Sequence, residues 1–179
     1  MLEHDIETVL YTKEQIDQRV RELGARLTED YRDKDPIVVG ILRGCFIFMA
    51  DLVREMPIPL TLEFLAVSSY GTGTVSGEVC LTRDFPMPIE GRHILILEDI
   101  LDSGRTLSYV IRLLRQRNPA SVEICAFFDK PARRVTDIEA KYVGYEVPDA
   151  FVVGYGLDYA DRYRNLPYLG ILKPEIYKS

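Results

Sequence analysis

The sequence predicts an α/β fold with a mostly parallel sheet flanked by helices, and three observations carry that reading. Short apolar runs at residues 37–42, 94–97 and 122–128 have the unbroken aliphatic character of strands buried on both faces. Segments with apolar residues at helical spacing alternate with those runs. One run, 94–97, leads straight into acids and then a small-residue turn at the start of a helix, the arrangement that holds an anionic ligand beyond a strand end.

In chain order, Thr12 and Gln15 form a capping-box pattern, and Ile16, Val20, Leu23 and Leu27 then recur at helical spacing, giving a helix over about 13–31. Asp35-Pro36 ends the connection before the strand at 37–42. Arg43-Gly44 interrupts the chain before 45–54, apolar nearly all round and expected as a buried helix that stops before Pro57. A strand follows at 60–67. Residues 68–83 are small, polar and glycine-rich at first, too long for a tight turn, and read as a flexible loop with a short strand at 79–81. After the strand at 94–97, Leu107, Val110, Ile111 and Leu114 put one apolar stripe on a helix at about 106–117, which Asn118-Pro119 stops. Strands are expected at 122–128 and 151–153. The Tyr-, Pro- and Gly-rich tail from Gly154 is expected to wrap the domain rather than build a second one.

A chain of 179 residues suits one domain with a substantial core, here 1–179. Acids outnumber Lys plus Arg by 28 to 22, for a formal charge of −6, which argues against nucleic acid as the main partner. Cys45, Cys80 and Cys125 are scattered and form no CxxC pair, as expected of reduced thiols in a cytoplasmic protein. The first residues lack the basic and apolar segments of a secretory signal, and no apolar stretch approaches the ~20 residues of a membrane span.

Four strand exits carry chemistry. The first is Glu98-Asp99-Ile100-Leu101-Asp102-Ser103-Gly104-Arg105-Thr106, whose crowded acids repel unless a cation or ligand hydroxyls intervene. The second is Leu42-Arg43-Gly44, which alone is an ordinary solvated turn. The third is the loop at 68–83 with Ser69-Tyr70. The fourth joins Asp129-Lys130-Pro131 to the string FVVGYGLDY at 151–159.

Together these motifs, from about Val39 to Arg164, resemble the phosphoribosyltransferases that use phosphoribosyl pyrophosphate, and FVVGYGLDY is similar to their hypoxanthine-guanine branch. The resemblance implies a type I phosphoribosyltransferase fold with a small hood, and transfer of the sugar phosphate to a 6-oxopurine with loss of pyrophosphate. It implies Mg2+ as cofactor, with Glu98, Asp99 and Asp158 in the metal environment and Glu98 and Asp99 also on the ribose hydroxyls. Residues Asp102, Ser103, Gly104, Arg105 and Thr106 would cradle the 5′-phosphate, and Asp102 would be the general base for purine N7. Arg43 and Gly44 would bind pyrophosphate in a loop containing a cis peptide, with Arg164 as a further pyrophosphate ligand. Lys130 would contact the 6-oxo group, Phe151 would stack on the purine and the Val152 backbone would meet the base edge. Ser69 and Tyr70 would belong to a lid that excludes water while the sugar is cationic. The family usually forms dimers or tetramers. A xanthine-preferring or pyrimidine enzyme, or an RNA-binding regulator of the same fold, are the rival readings; the acidic balance opposes the regulator, and FVVGYGLDY the pyrimidine branch.

Overall fold

The structure, a computed structural model, describes residues 2–70 and 78–178. Its elements are β1 (Ile6–Tyr11), α1 (Lys13–Asp30), β2 (Ile37–Leu42), α2 (Phe46–Arg54), β3 (Thr61–Tyr70), β4 (Glu78–Arg83), β5 (His93–Leu101), α3 (Arg105–Arg115), β6 (Ser121–Asp129), β7 (Tyr142–Glu146), β8 (Val152–Val153), β9 (Leu169–Leu172) and α4 (Pro174–Tyr177). A six-stranded sheet has the order β4-β3-β2-β5-β6-β7. All its pairings are parallel except β3 with β4 at the edge. Among the described residues, no helix is long and apolar enough to cross a membrane.

The sheet is buried on both faces, which explains its aliphatic strands. Val38, Leu95, Leu97 and Phe127 face a cluster with Ile16, Leu23 and Leu27 of α1 and Phe48 and Leu52 of α2. On the other face, Val39, Ile94, Ile96 and Ile124 meet the α3 stripe Leu107, Val110, Ile111 and Leu114. Each such buried aliphatic side chain contributes about 2 kcal/mol before entropy is charged against it. The capping box at α1 forms as expected: Gln15 N donates to Thr12 Oγ1 at 3.3 Å, and Thr12 N donates to Gln15 Oε1 at 2.8 Å. Helix α2 is less enclosed than its composition suggests, since Phe46 at its start is exposed.

Three further expectations change. Strand β5 does not end at Leu97 but runs to Leu101, because β6 continues beside it and pairs Glu98 with Ala126, Ile100 with Phe128 and Leu101 with Asp129. The segment at 68–83 is not one long loop. Ser68, Ser69 and Tyr70 complete β3 and pair with Cys80, Val79 and Glu78 of β4. The centre of the expected lid, 71–77, and the side chains of Ser69 and Tyr70 lie outside the described residues. Finally, the tail does more than wrap: β9 pairs antiparallel with both β1 and β8, so the two ends of the chain build a small three-stranded sheet. Lys173 N donating to Asp5 O at 2.9 Å and the Tyr163 hydroxyl donating to Asp5 Oδ2 at 2.8 Å fasten it further.

Candidate active site

The parallel strands β2, β5 and β6 deliver their ends to one edge of the sheet, where ligands bind in folds of this kind. Two cavities open there. One, of about 220 Å³, is lined by Gly44, Glu98, Asp99, Asp102, Gly104 and Thr106. The other, of about 470 Å³, is lined by Asp102, Lys130, Phe151, Val152, Asp158 and Tyr177. Asp102 and Ile100 belong to both walls, so the acidic turn and the Lys130–Phe151 region meet rather than face apart.

In the smaller cavity, Glu98 is 8% exposed and is the one charged side chain buried among the described residues. Burial raises its pKa well above the ordinary glutamate value, and the neighbouring Asp99 charge adds to the rise. Asp99 is also raised by burial, against the opposing hydrogen bond from Glu98, local backbone hydrogen bonds and the Arg164 charge. The pair therefore holds a proton readily in the free protein, and positive charge or hydroxyl donors would stabilise its ionised form. The Leu42–Arg43 peptide is cis, so the expected cis bond lies in this loop. Gly44 permits close contact with the acids: a Cβ there would lie 1.7 Å from Asp99 Oδ2.

The turn after β5 is held locally. Asp102 Oδ1 accepts from Ser103 N at 2.5 Å, and Ser103 Oγ accepts from Arg105 N at 3.4 Å. Gly104 caps α3 with φ 79°, in the left-handed region that glycine enters freely. Arg105 and Thr106 then form the first helical turn, so the turn sits at the positive end of α3.

In the larger cavity, Lys130 Nζ donates to Ala150 O at 2.8 Å, and Lys130 N donates to Leu101 O at 2.9 Å. Burial lowers the Lys130 pKa, and the Arg133 charge lowers it further. Phe151 is partly open and stacks on Tyr177, with centroids 4.8 Å apart and planes 23° apart. Tyr159 meets its edge at 5.4 Å. Val152 lies opposite Ile171 while Phe151 O accepts from Leu172 N at 2.8 Å. That pattern makes Val152 a non-hydrogen-bonded pair, so its own N–H and C=O point away from β9 at the sheet's open edge.

Arg164 pairs with Asp158 Oδ1 at 2.7 Å and donates to Gly156 O at 2.6 Å. Arg43 pairs with Asp161 at 2.7 Å on the surface. The three acids expected around a metal are not gathered into one set. Among the described residues, no three His, Cys, Asp or Glu side chains are placed to hold an ion, and Asp158 is already balanced by Arg164. The acids present fit Mg2+ of the kind bound by one or two carboxylates plus ligand oxygens, and do not fit an all-protein cage.

Tyr177, Arg134 and Thr136 border these cavities or their loops and had no signal in the sequence. Tyr177 is one of many tail tyrosines, and Arg134 looks like any surface arginine beside Arg133. In a third cavity, about 410 Å³ between α1, α2 and residues 155–167, Lys13 pairs with Asp17, and Asp51 with Arg54 and Tyr155, while Arg21 and Glu55 also line the wall.

A phosphoribosyl transferase domain profile matches residues 8–160. The hypoxanthine-guanine phosphoribosyltransferase of Bacillus subtilis (strain 168) is 55% identical over 180 residues, covering 100% of both chains. A Staphylococcus aureus hypoxanthine phosphoribosyltransferase crystal structure matches with a TM-score of 0.96 at 50% identity, covering 99% of this chain and 97% of that one. A Trypanosoma cruzi hypoxanthine phosphoribosyltransferase variant, solved as a ternary substrates complex, matches with a TM-score of 0.91 at 41% identity, covering 97% and 99%.

Proposed function

This chain belongs to the phosphoribosyl transferase family, and from that premise we propose that it is a purine-salvage transferase joining hypoxanthine or guanine to phosphoribosyl pyrophosphate. The products are the nucleoside monophosphate and pyrophosphate. The observation that carries the reading is Asp102 standing in both cavity walls, beside the phosphate-type turn on one side and the Lys130–Phe151 platform on the other.

On this reading the 5′-phosphate sits on Ser103, Gly104, Arg105 and Thr106, where backbone N–H groups and the positive end of α3 favour an anion. Glu98 and Asp99 accept from the ribose hydroxyls. Gly44 and Arg43 bring amides to the departing pyrophosphate, and Arg164 turns from Asp158 toward it. Glu98, Asp99 and Asp158 are the residues that would hold Mg2+, which would supply positive charge to neutralise the leaving group. As the C1′ bond stretches, the surrounding acids favour the developing oxocarbenium charge. Purine N9 attacks C1′ while Asp102 takes the proton from N7. Lys130 donates to the 6-oxo group, Phe151 stacks on the ring with Tyr177 behind it, and the Val152 backbone meets the base edge. Ser69 and Tyr70 belong to the lid that excludes water. A cytoplasmic setting and a homodimer or homotetramer complete the proposal.

The deciding assay supplies phosphoribosyl pyrophosphate and Mg2+ with hypoxanthine, guanine or xanthine. Turnover of hypoxanthine or guanine is expected to exceed that of xanthine. No turnover, or a clear preference for xanthine, would overturn the assignment.

The Glu98–Asp99 pair also predicts a pH dependence. Because burial raises the folded-state pKa of Glu98, the folded protein holds that proton more tightly than the unfolded chain does. Its contribution to stability is therefore present at acid pH and falls as pH rises from the ordinary glutamate range through the raised value. Glu98→Gln removes this titration, so its Tm relative to the parent protein should climb as pH rises upward from the ordinary glutamate range. A difference in Tm that stays constant with pH would show that Glu98 is not perturbed in this way.

A further inference from the structure

We propose that Arg134 is a positioning residue for the proton transfer, fixing the Asp102 carboxylate through its own backbone; the inference rests on the base role given to Asp102 above. Arg134 is 15% exposed, and its guanidinium gathers groups from three stretches of chain. Nε donates to Asp102 O at 2.9 Å, Nη1 to Ile138 O at 2.7 Å and Nη2 to Leu101 O at 3.4 Å. Nη2 also pairs with Asp129 at the end of β6, which balances the partly buried charge. The stem lies against the turn as well, since a Cβ at Gly104 would come within 3.2 Å of Arg134 Cδ.

The neighbours of Arg134 act in the same place. Val135 N donates to Ser103 O at 3.1 Å, and Thr136 Oγ1 donates to the same oxygen at 3.3 Å. Carbonyls 101, 102 and 103 are thus held from the side of residues 134–136. The Asp102 carboxylate, by contrast, has one local contact, the Ser103 amide. Its aim toward a purine therefore depends on where the backbone carbonyl beneath it is held. Leu101 O is shared with Lys130 N, so the same guanidinium links the base-carrying turn to the strand end that bears Lys130. A planar fork with five donors can reach these acceptors at once, and a lysine ammonium on a flexible stem cannot.

The test compares Arg134→Lys, Asp102→Asn and the double variant, with hypoxanthine, phosphoribosyl pyrophosphate and Mg2+ in each assay. Arg134→Lys should lower kcat about 100-fold with KM for hypoxanthine little changed, as expected when a reacting group is displaced by about an ångström. In the Asp102→Asn background the same change should cost no more than about 2-fold, because residues that act as a unit lose their effect together. A merely structural arginine would give losses that multiply, and that result, or an unchanged kcat in Arg134→Lys, overturns the inference. If Arg134→Lys does not fold, Asp129→Asn leaves the carbonyl contacts and loosens the guanidinium; its loss of kcat should likewise vanish beside Asp102→Asn, and persistence there is disproof. Full turnover by Asp102→Asn alone would remove the base role and this inference with it. Multiplying losses would remove the inference and leave the base role standing.

Discussion

Adenine is expected to react with a kcat/KM about 10,000-fold below that of hypoxanthine, the discrimination typical of a site built to hydrogen-bond one partner group. The charged Lys130 ammonium has donors and no acceptor. One N–H is already committed to Ala150 O, which points the rest of the group along a fixed direction in the cavity. A 6-oxo oxygen accepts there, whereas the 6-amino group of adenine sets donor against donor beside a half-buried positive charge. Burial also lowers the Lys130 pKa from its ordinary 10.5. As pH rises through that lowered value the neutral amine gains a lone pair, so rejection of adenine should weaken in alkaline solution, earlier than an exposed lysine would allow. Measuring the ratio of kcat/KM for the two bases across neutral and alkaline pH checks both statements. Comparable values at neutral pH would contradict the role given to Lys130.

Asp102→Asn is expected to lower kcat about 1,000-fold while both KM values stay near those of the parent protein, within the range for a positioned general base. Asparagine is nearly isosteric, and its amide oxygen can still accept from Ser103 N as Asp102 Oδ1 does. The turn, the Arg134 contact to the residue 102 carbonyl and the neighbouring phosphate cradle should therefore survive. What goes is the negative oxygen proposed to take the N7 proton. Steady-state kinetics with hypoxanthine separate these effects, since lost binding would appear in KM and lost chemistry in kcat. Near-normal turnover at neutral pH would take the base role away from Asp102.

The parts of this molecule that could be read from its sequence are those in which local order and chemistry coincide. A strand buried on both faces has to be aliphatic, and the acids and glycine that follow it stand out because nothing in a core would keep them there. The α3 stripe and the α1 capping box are local in the same sense. What escaped depends on partners distant in the chain. The acids at Glu98 and Asp99 looked like the end of a strand, yet β6 supplies backbone partners for several residues more. Strand β7 is short, broken by Gly144, and packs at an edge, so its periodicity is faint. The residues around Arg134 show no pattern at all, because their work is done on carbonyl oxygens of a turn some 30 positions earlier. Tyr177 gains meaning only once Phe151 is known to lie beneath it.

The small sheet has a consequence for biosynthesis. Strand β1 leaves the ribosome well before β9, the partner on which it depends. The nascent large sheet can assemble from consecutive segments in the meantime, as parallel crossover units do. The strand presenting Phe151 and Val152 cannot be clamped until β9 arrives. The proposed nucleobase platform should therefore be completed late in the life of each new polypeptide, after the turn proposed to hold the phosphate has already taken shape.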